Sequence, residues 1–274
     1  MMNKTKNDGR PALGTALGQL AARECRSLLR ALAMRKRRQE GIHEARKSCR
    51  RLRSLLPLLP PEQPTNAVNR GLQELAHALA PLRDAHIAAR TAKLLATAHE
   101  TWITPEVIHS LEHRCEQMLD NALKQDPHWR RRRADAQRII ASIHALAWAD
   151  IRPSLAKKTL KRSKRRVKKA HSKARESRAP DALHRWRRRA RKLRYQLEFV
   201  RKARHVAGMK KGRSQKYAAS AKQLSALTDQ LGWRQDFQIF LDAVEQLPTS
   251  RDVRALRREL PSKSASWSQA EPLP

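Results

Sequence analysis

Apolar residues in this chain return every three or four positions and hardly ever every second one. Ile42, Ala45, Cys49, Leu52, Leu55, Leu56 and Leu59 all fall between about 120° and 260° on a helical wheel that sets His43 at zero. Such a sector is the buried stripe of a helix packed against a core. Leu183, Trp186, Ala190, Leu193, Leu197 and Val200 draw the same stripe in the second half. Followed to the end, the periodicity predicts helices over about 13–37, 42–56, 67–79, 83–100, 105–124, 129–149, 155–175, 182–204, 214–231, 235–246 and 251–260. Breaks are expected at Gly41, at the prolines between 57 and 64, and at Pro81, Pro105 and Pro127. The chain reads as all-α, with residues 1–10 and 261–274 as disordered tails.

The polar faces carry a stronger signal than the apolar ones. Arg46, Lys47, Arg50 and Arg53 stand at about 300°, 40°, 340° and 280°, opposite the stripe and around His43. One offset of 141 positions maps His43, Arg46, Lys47, Arg50 and Arg53 onto His184, Arg187, Arg188, Arg191 and Arg194. A repeat of that length points to two related halves, about 11–125 and 127–260, of a single domain. Neighbours on a helix face lie about 6 Å apart, where two like charges repel by about 0.7 kcal/mol in water or about 3 kcal/mol at an effective dielectric of 20. No carboxylate on the face relieves this, since Glu44 lies beside the stripe and Glu198 beyond its last arginine. One such helix reads as a solvated surface. Two in the same register read as walls for an elongated anion.

Composition agrees and narrows the setting. Sixty lysines and arginines stand against 25 acidic residues, for a net charge of +35 and an isoelectric point near 11.5. Nucleic acid, an anionic membrane surface and a phosphate polymer are the partners such an excess suits. Forty per cent hydrophobic residues suffice for a core. Three scattered cysteines make no disulfide framework, and no apolar run is long enough to span a bilayer. A cytoplasmic protein without membrane association is expected.

A second echo follows each cationic helix. Residues Leu79 to Ile87 resemble Leu231 to Ile239, with leucine, aspartate and isoleucine coinciding. The histidine-to-aspartate distance is longer in the second half, which places an insertion near Gly208 to Gly212. Asp84 and Asp236 read as helix caps or partners of an arginine rather than as catalysts.

Taken together these motifs resemble the conserved histidine α-helical (CHAD) domain family. His43, Arg46, Arg50, Leu52 and Arg53 meet its pattern, and His184, Arg187, Arg188, Lys192, Leu193, Arg194, Tyr195, Leu197 and Glu198 meet it more fully. Asp84 and Asp236 match the aspartate that follows in each half. The resemblance implies two pseudo-symmetric helical bundles around a central basic channel or cleft that binds inorganic polyphosphate. Some members of the family carry a fused triphosphate-cleaving tunnel domain, whose metal-holding alternating glutamates this chain lacks, so a stand-alone binding module is expected, and recruitment to polyphosphate granules would follow from its binding.

Polyphosphate is a flexible chain of regular charges without bases. It calls for ranks of guanidinium and ammonium groups and no stacking platform, which suits an aromatic content of 4%. Arg46, Lys47, Arg50, Arg53, Arg187, Arg188, Arg191 and Arg194 are therefore the expected phosphate contacts, with His43 and His184 as hydrogen-bond donors. Arg23, Arg26 and Arg30 on one preceding helix, and Lys161, Arg165 and Lys168 on the other, are candidate extensions.

Other classes remain in view. Nucleic acid is the nearest rival and the weaker competitor, since no zinc-finger or RNA-recognition signature appears. A granule scaffold or a regulator of polyphosphate metabolism could use the same basic faces. His109 and His113 sit four apart near Glu112, Cys115 and Glu116, but no third ligand shares their face, so no metal site is expected. Without a phosphate-cradling glycine loop, an activated nucleophile or a carboxylate cluster, neither a cofactor nor catalysis is expected.

Overall fold

The structure, a computed structural model, describes residues 10–98, 103–177 and 179–267. Of the expected tails, 1–10 and 261–274, residues 1–9 and 268–274 lie outside them, while 261–267 are helical. The described residues are mainly helical and contain no strand. Ten α-helices follow in order: α1 (Leu13–Ala33), α2 (Arg38–Leu55), α3 (Thr65–Ala78), α4 (Ala80–Thr97), α5 (Pro105–Gln125), α6 (Arg130–His144), α7 (Pro153–Ser177), α8 (Pro180–Val206), α9 (Lys211–Glu245) and α10 (Arg251–Trp267).

The apolar stripe of α2 is buried from Ile42 to Leu59 as the wheel predicts. In α8, Ala190, Leu193, Leu197 and Val200 are buried, whereas Leu183 and Trp186 are only half so; the Trp186 ring lies against His171 at 4.6 Å. α1 packs on α2 and α7 on α8, so that each cationic helix is backed by the helix before it. Two hydrophobic cores result. One draws mainly on α1, α2, α3, α6, α7 and α8, with Leu82 of α4 and Ala221 of α9; the other on α4, α5, α9 and α10. Neither belongs to one half of the sequence alone.

Several boundaries differ from the expectation for identifiable reasons. Gly41 does not break the chain but lies inside α2, where a Cβ would come 2.6 Å from the Ala31 carbonyl oxygen; the glycine permits the close approach of α1 and α2. The two helices predicted around residues 214–246 are one, α9, which runs unbroken through Gly232. Its counterpart is the pair α3 and α4, which part just before Pro81. Proline has no N–H for the carbonyl of the preceding turn and its ring obstructs that carbonyl. The aligned position in α9 is Trp233, which leaves the helix intact. α10 continues to Trp267, seven residues past its expected end. The turn from α8 to α9 is made by Gly208 at φ +64°.

Candidate functional site

The two cationic stripes face one another across a single cleft of about 580 Å³. α2 supplies His43, Arg46, Lys47, Arg50 and Arg53, and α8 supplies His184, Arg187, Arg188, Arg191 and Arg194. α3, α4 and α9 complete the lining with Gln73, His77, Arg83, Asp84, Arg90, Thr228, Asp229, Gln235 and Asp236 among others. Ten cationic side chains thus meet three carboxylates. A hollow of about 710 Å³ adjoins the cleft at His43, Arg83, Ile87 and Arg90, and carries the basic surface on to Lys36, Arg37 and Arg38.

Four guanidinium groups of the two stripes are tethered rather than loose. Arg46 donates to the Ala76 carbonyl oxygen, and Arg187 Nε donates to the Thr228 carbonyl oxygen at 3.2 Å. Arg53 donates to Asn69 and, at 3.1 Å, to Gln73; Arg194 donates to Thr228 Oγ1 and, at 2.9 Å, to Ser225. Donors 141 positions apart, 46 with 187 and 53 with 194, find acceptors 152 positions apart, 76 with 228 and 73 with 225. The same two contacts therefore recur in both halves. They are reached differently. Ala76 lies in the last turn of α3, where carbonyls lose their intrahelical partners. Thr228 lies within α9, and access to it depends on Gly232 one turn on, where a Cβ would stand 2.7 Å from Arg187 Nη2.

Carboxylates intrude more than the wheel suggested. Lys47 pairs with Glu44 at 3.0 Å, and Arg194 approaches Glu198 at 3.6 Å and Asp229 at 3.9 Å. One turn of helix is within reach of a lysine or arginine stem, so a carboxylate beside the stripe still engages it. The central groups keep their strain. Burial first and neighbouring cations second bring Arg191 down to about 9, and burial with the nearby Arg50 and Arg83 contributes to bringing Arg46 down to about 10. Burial brings Arg187 down to about 10 as well, with Arg83 and Arg50 adding to it against the pull of Asp236. All remain charged at neutral pH. Arg50 is lowered by burial, and the phenol of Tyr195 offsets part of this.

Both histidines are pushed toward the neutral form. Loss of water on burial is the main cause for each. Arg50, Lys47 and Arg83 add repulsion at His43 against the attraction of Glu44; Arg188, Arg187 and Arg191 do so at His184 against Asp181. His86, in the adjoining hollow, is lowered by burial, Arg90 and Arg83.

Sequence reasoning missed two cations of the site, Arg90 and, with more consequence, Arg83. Its Nη1 donates to Asp84 at 3.0 Å and its Nη2 to Asp236 at 2.8 Å, so both aspartates serve as partners of one arginine. The adjacent Arg83-Asp84 pair was the available signal, but the aligned residue in the other half is Gln235, and the repeat passed over it.

The candidate extensions do not reach the cleft. Arg23 lines a separate hollow with Arg51, Glu198 and Arg201, Arg26 is exposed, and Arg30 donates to Ser27 at 3.2 Å. Lys161, Arg165 and Lys168 are exposed on α7, which turns Ala156, Leu160, Ala170 and Ala174 inward instead. Not all of the Arg130 to Arg133 run is free surface either: Arg132 pairs with Asp126 at 2.9 Å and lies over the Trp129 ring. Glu112 is engaged by Lys93, and among the described residues no three histidine, cysteine or acidic side chains gather as metal ligands do. Among the described residues no helix is long and apolar enough to cross a membrane.

Fold and site together define an all-α protein built around an internal arginine-lined cleft. The chain belongs to the CHAD domain family, whose model matches residues 12–245. The fold is similar to that in the crystal structure of the CHAD domain from the plant Ricinus communis, with 20% identity, a TM-score of 0.61, and 94% of this chain and 88% of that one covered. A comparison with curated proteins gave no match.

Proposed function

We propose that the cleft binds inorganic polyphosphate without acting on it chemically, and that this binding recruits the protein to polyphosphate granules. The observation that carries the reading is the opposition of two arginine ranks across one cleft, with two guanidinium groups in each rank held in place by hydrogen bonds. Each rank runs about 15 Å along its helix, long enough to meet several successive phosphates. Arginine forks match phosphate oxygens two at a time. A polymer with one negative charge at each repeat supplies what the cleft lacks, and membership of the CHAD family favours polyphosphate over other polyanions.

The test is binding of polyphosphates of graded length to the native protein and to a variant with Arg50, Arg53, Arg191 and Arg194 replaced by alanine. Loss of four charge-assisted contacts is expected to weaken binding at least ~100-fold. Retained affinity would overturn the proposal, as would stronger retention of duplex DNA than of long polyphosphate in competition at physiological salt.

A further inference from the structure

The cleft accounts for only a minor share of the charge on this chain. Its ten cations and three aspartates stand against a net charge of +35. The densest share of the remainder is α7, where residues 153–177 hold seven lysines and four arginines against Glu176 alone. All eleven cations are exposed, and no ion pair among the described residues engages any of them. Duplication does not explain them. α1, which backs the first cationic helix as α7 backs the second, carries only Arg23, Arg26 and Arg30, with Glu24 between them.

The chemistry of the two surfaces differs. The cleft has nine arginines and one lysine, several held in place by hydrogen bonds, as suits a site with a defined register. α7 is mostly lysine and untethered, a row of mobile point charges that suits a polymer with none. From Lys157 to Lys173 the row extends about 24 Å, longer than either rank of the cleft.

The surfaces are joined. Arg189 of α8 donates to the Arg166 carbonyl oxygen at 3.2 Å, which seats α7 beside the outer edge of α8. Lys192 stands at that edge; its ammonium is lowered by loss of water and then by Arg53, Arg166 and Arg162. Arg53 belongs to the cleft, and Arg162 and Arg166 to α7. Lys192 therefore lies within electrostatic reach of both surfaces.

We propose that the exposed face of α7 is a second docking surface for the same polymer, taking up polyphosphate where a chain leaves the cleft past Arg53 and Lys192. It rests on the cleft's binding polyphosphate, and it makes the protein selective for long chains. A chain confined to the cleft never meets α7. A longer one gains contacts that are already within reach of its tethered segment, so their effective concentration is high.

The experiment compares a short oligophosphate that fits within the cleft with a chain several times longer. Three full-length proteins are used: native, an α7 variant (Lys161→Gln, Lys164→Gln, Arg165→Gln, Lys168→Gln), and a control that loses as many exposed charges away from the cleft (Lys124→Gln, Arg130→Gln, Arg131→Gln, Arg133→Gln). Circular dichroism checks that each is folded. The α7 variant is expected to bind the short chain within ~2-fold of native and the long chain at least ~10-fold more weakly, with the salt slope for the long chain reduced by about 3 for four lost contacts. The control is expected to stay within ~2-fold for both. Equal losses in the α7 variant and the control, or no selective loss for the long chain, would overturn the proposal. Failure of the native protein to bind even the short chain would overturn the cleft reading itself, and the α7 surface with it.

Discussion

Arg83 and Asp236, 153 positions apart in sequence, are joined by a hydrogen bond of 2.8 Å from Nη2 to Oδ1. Both side chains are largely buried, and the contact ties α4 to α9 in the lining of the cleft. It also accounts for the two aspartates of the repeated motif, which share this one guanidinium.

Removing Arg83 leaves Asp236 buried without its partner. Arg83→Ala is expected to lower folding stability by about 1–3 kcal/mol, whereas Arg83→Ala combined with Asp236→Asn recovers part of the loss. Denaturant titration of the single and double variants measures it. A double variant as unstable as the sum of both single changes would show that the pair acts as two independent groups.

Binding a polyanion is expected to draw protons into the cleft. His43 and His184 are held toward the neutral form by burial and by the surrounding cations. Bound phosphates reverse the second influence and supply acceptors for a charged imidazole. Titration calorimetry near neutral pH in buffers of different ionisation enthalpy reads the proton count directly. A count of zero removes the histidines from the charge balance.

The unliganded protein is expected to lose stability as the solution is acidified. His43, His86 and His184 have folded values below the ordinary 6.5, so beneath that value the unfolded chain binds protons that the folded one refuses. Stability contributed by these groups is full above 6.5 and falls as the pH drops below it. Thermal melts across this range check the sign, and melts of His43→Gln and His184→Gln should be flatter.

Two glycines offer a contrast between site and scaffold. Gly232→Ala puts a methyl group against the Arg187 guanidinium and displaces it from its anchor, so it is expected to weaken polyphosphate binding several-fold while α9 gains up to about 1 kcal/mol in helix propensity. Gly41→Ala meets the Ala31 carbonyl, which cannot step aside, and is expected to destabilise the fold by about 1–3 kcal/mol. Affinity and denaturation measured on both variants separate the two effects.

Cys25 and Cys49 are buried, and burial pushes both thiols up to about 12. Neither is expected to react with a thiol reagent at neutral pH until the protein unfolds. Counting modified thiols by mass before and after denaturation tests this.

The cationic helices were legible because two periodicities coincide in them. Apolar spacing marks one face of α2 and α8, and the charge left over marks the other. Whatever depended on contacts between distant elements was not. Nothing about Ala76 or Thr228 announces that its carbonyl holds an arginine, since every residue has a carbonyl. Gly41 reads as a helix breaker, and the segment 232–234 as a gap between helices, because composition cannot tell a turn from a close approach. The inner face of α7 was misjudged because the helix is charged around most of its girth. Only the small residues Ala156, Ala170 and Ala174, with Leu160, fix which side meets α8.

The tethers of Arg46 and Arg187 bear on how freely this cleft can drift. A main-chain carbonyl is the one acceptor that no point substitution deletes. Ala76 can be exchanged for any residue that keeps its helix in place, and the guanidinium keeps its anchor. The second half is more constrained: the Thr228 side chain is buried and also accepts from Arg194, and position 232 must stay small. Mutational tolerance should therefore be broad at position 76 and narrow at 228 and at 232, a residue with no side chain to bond.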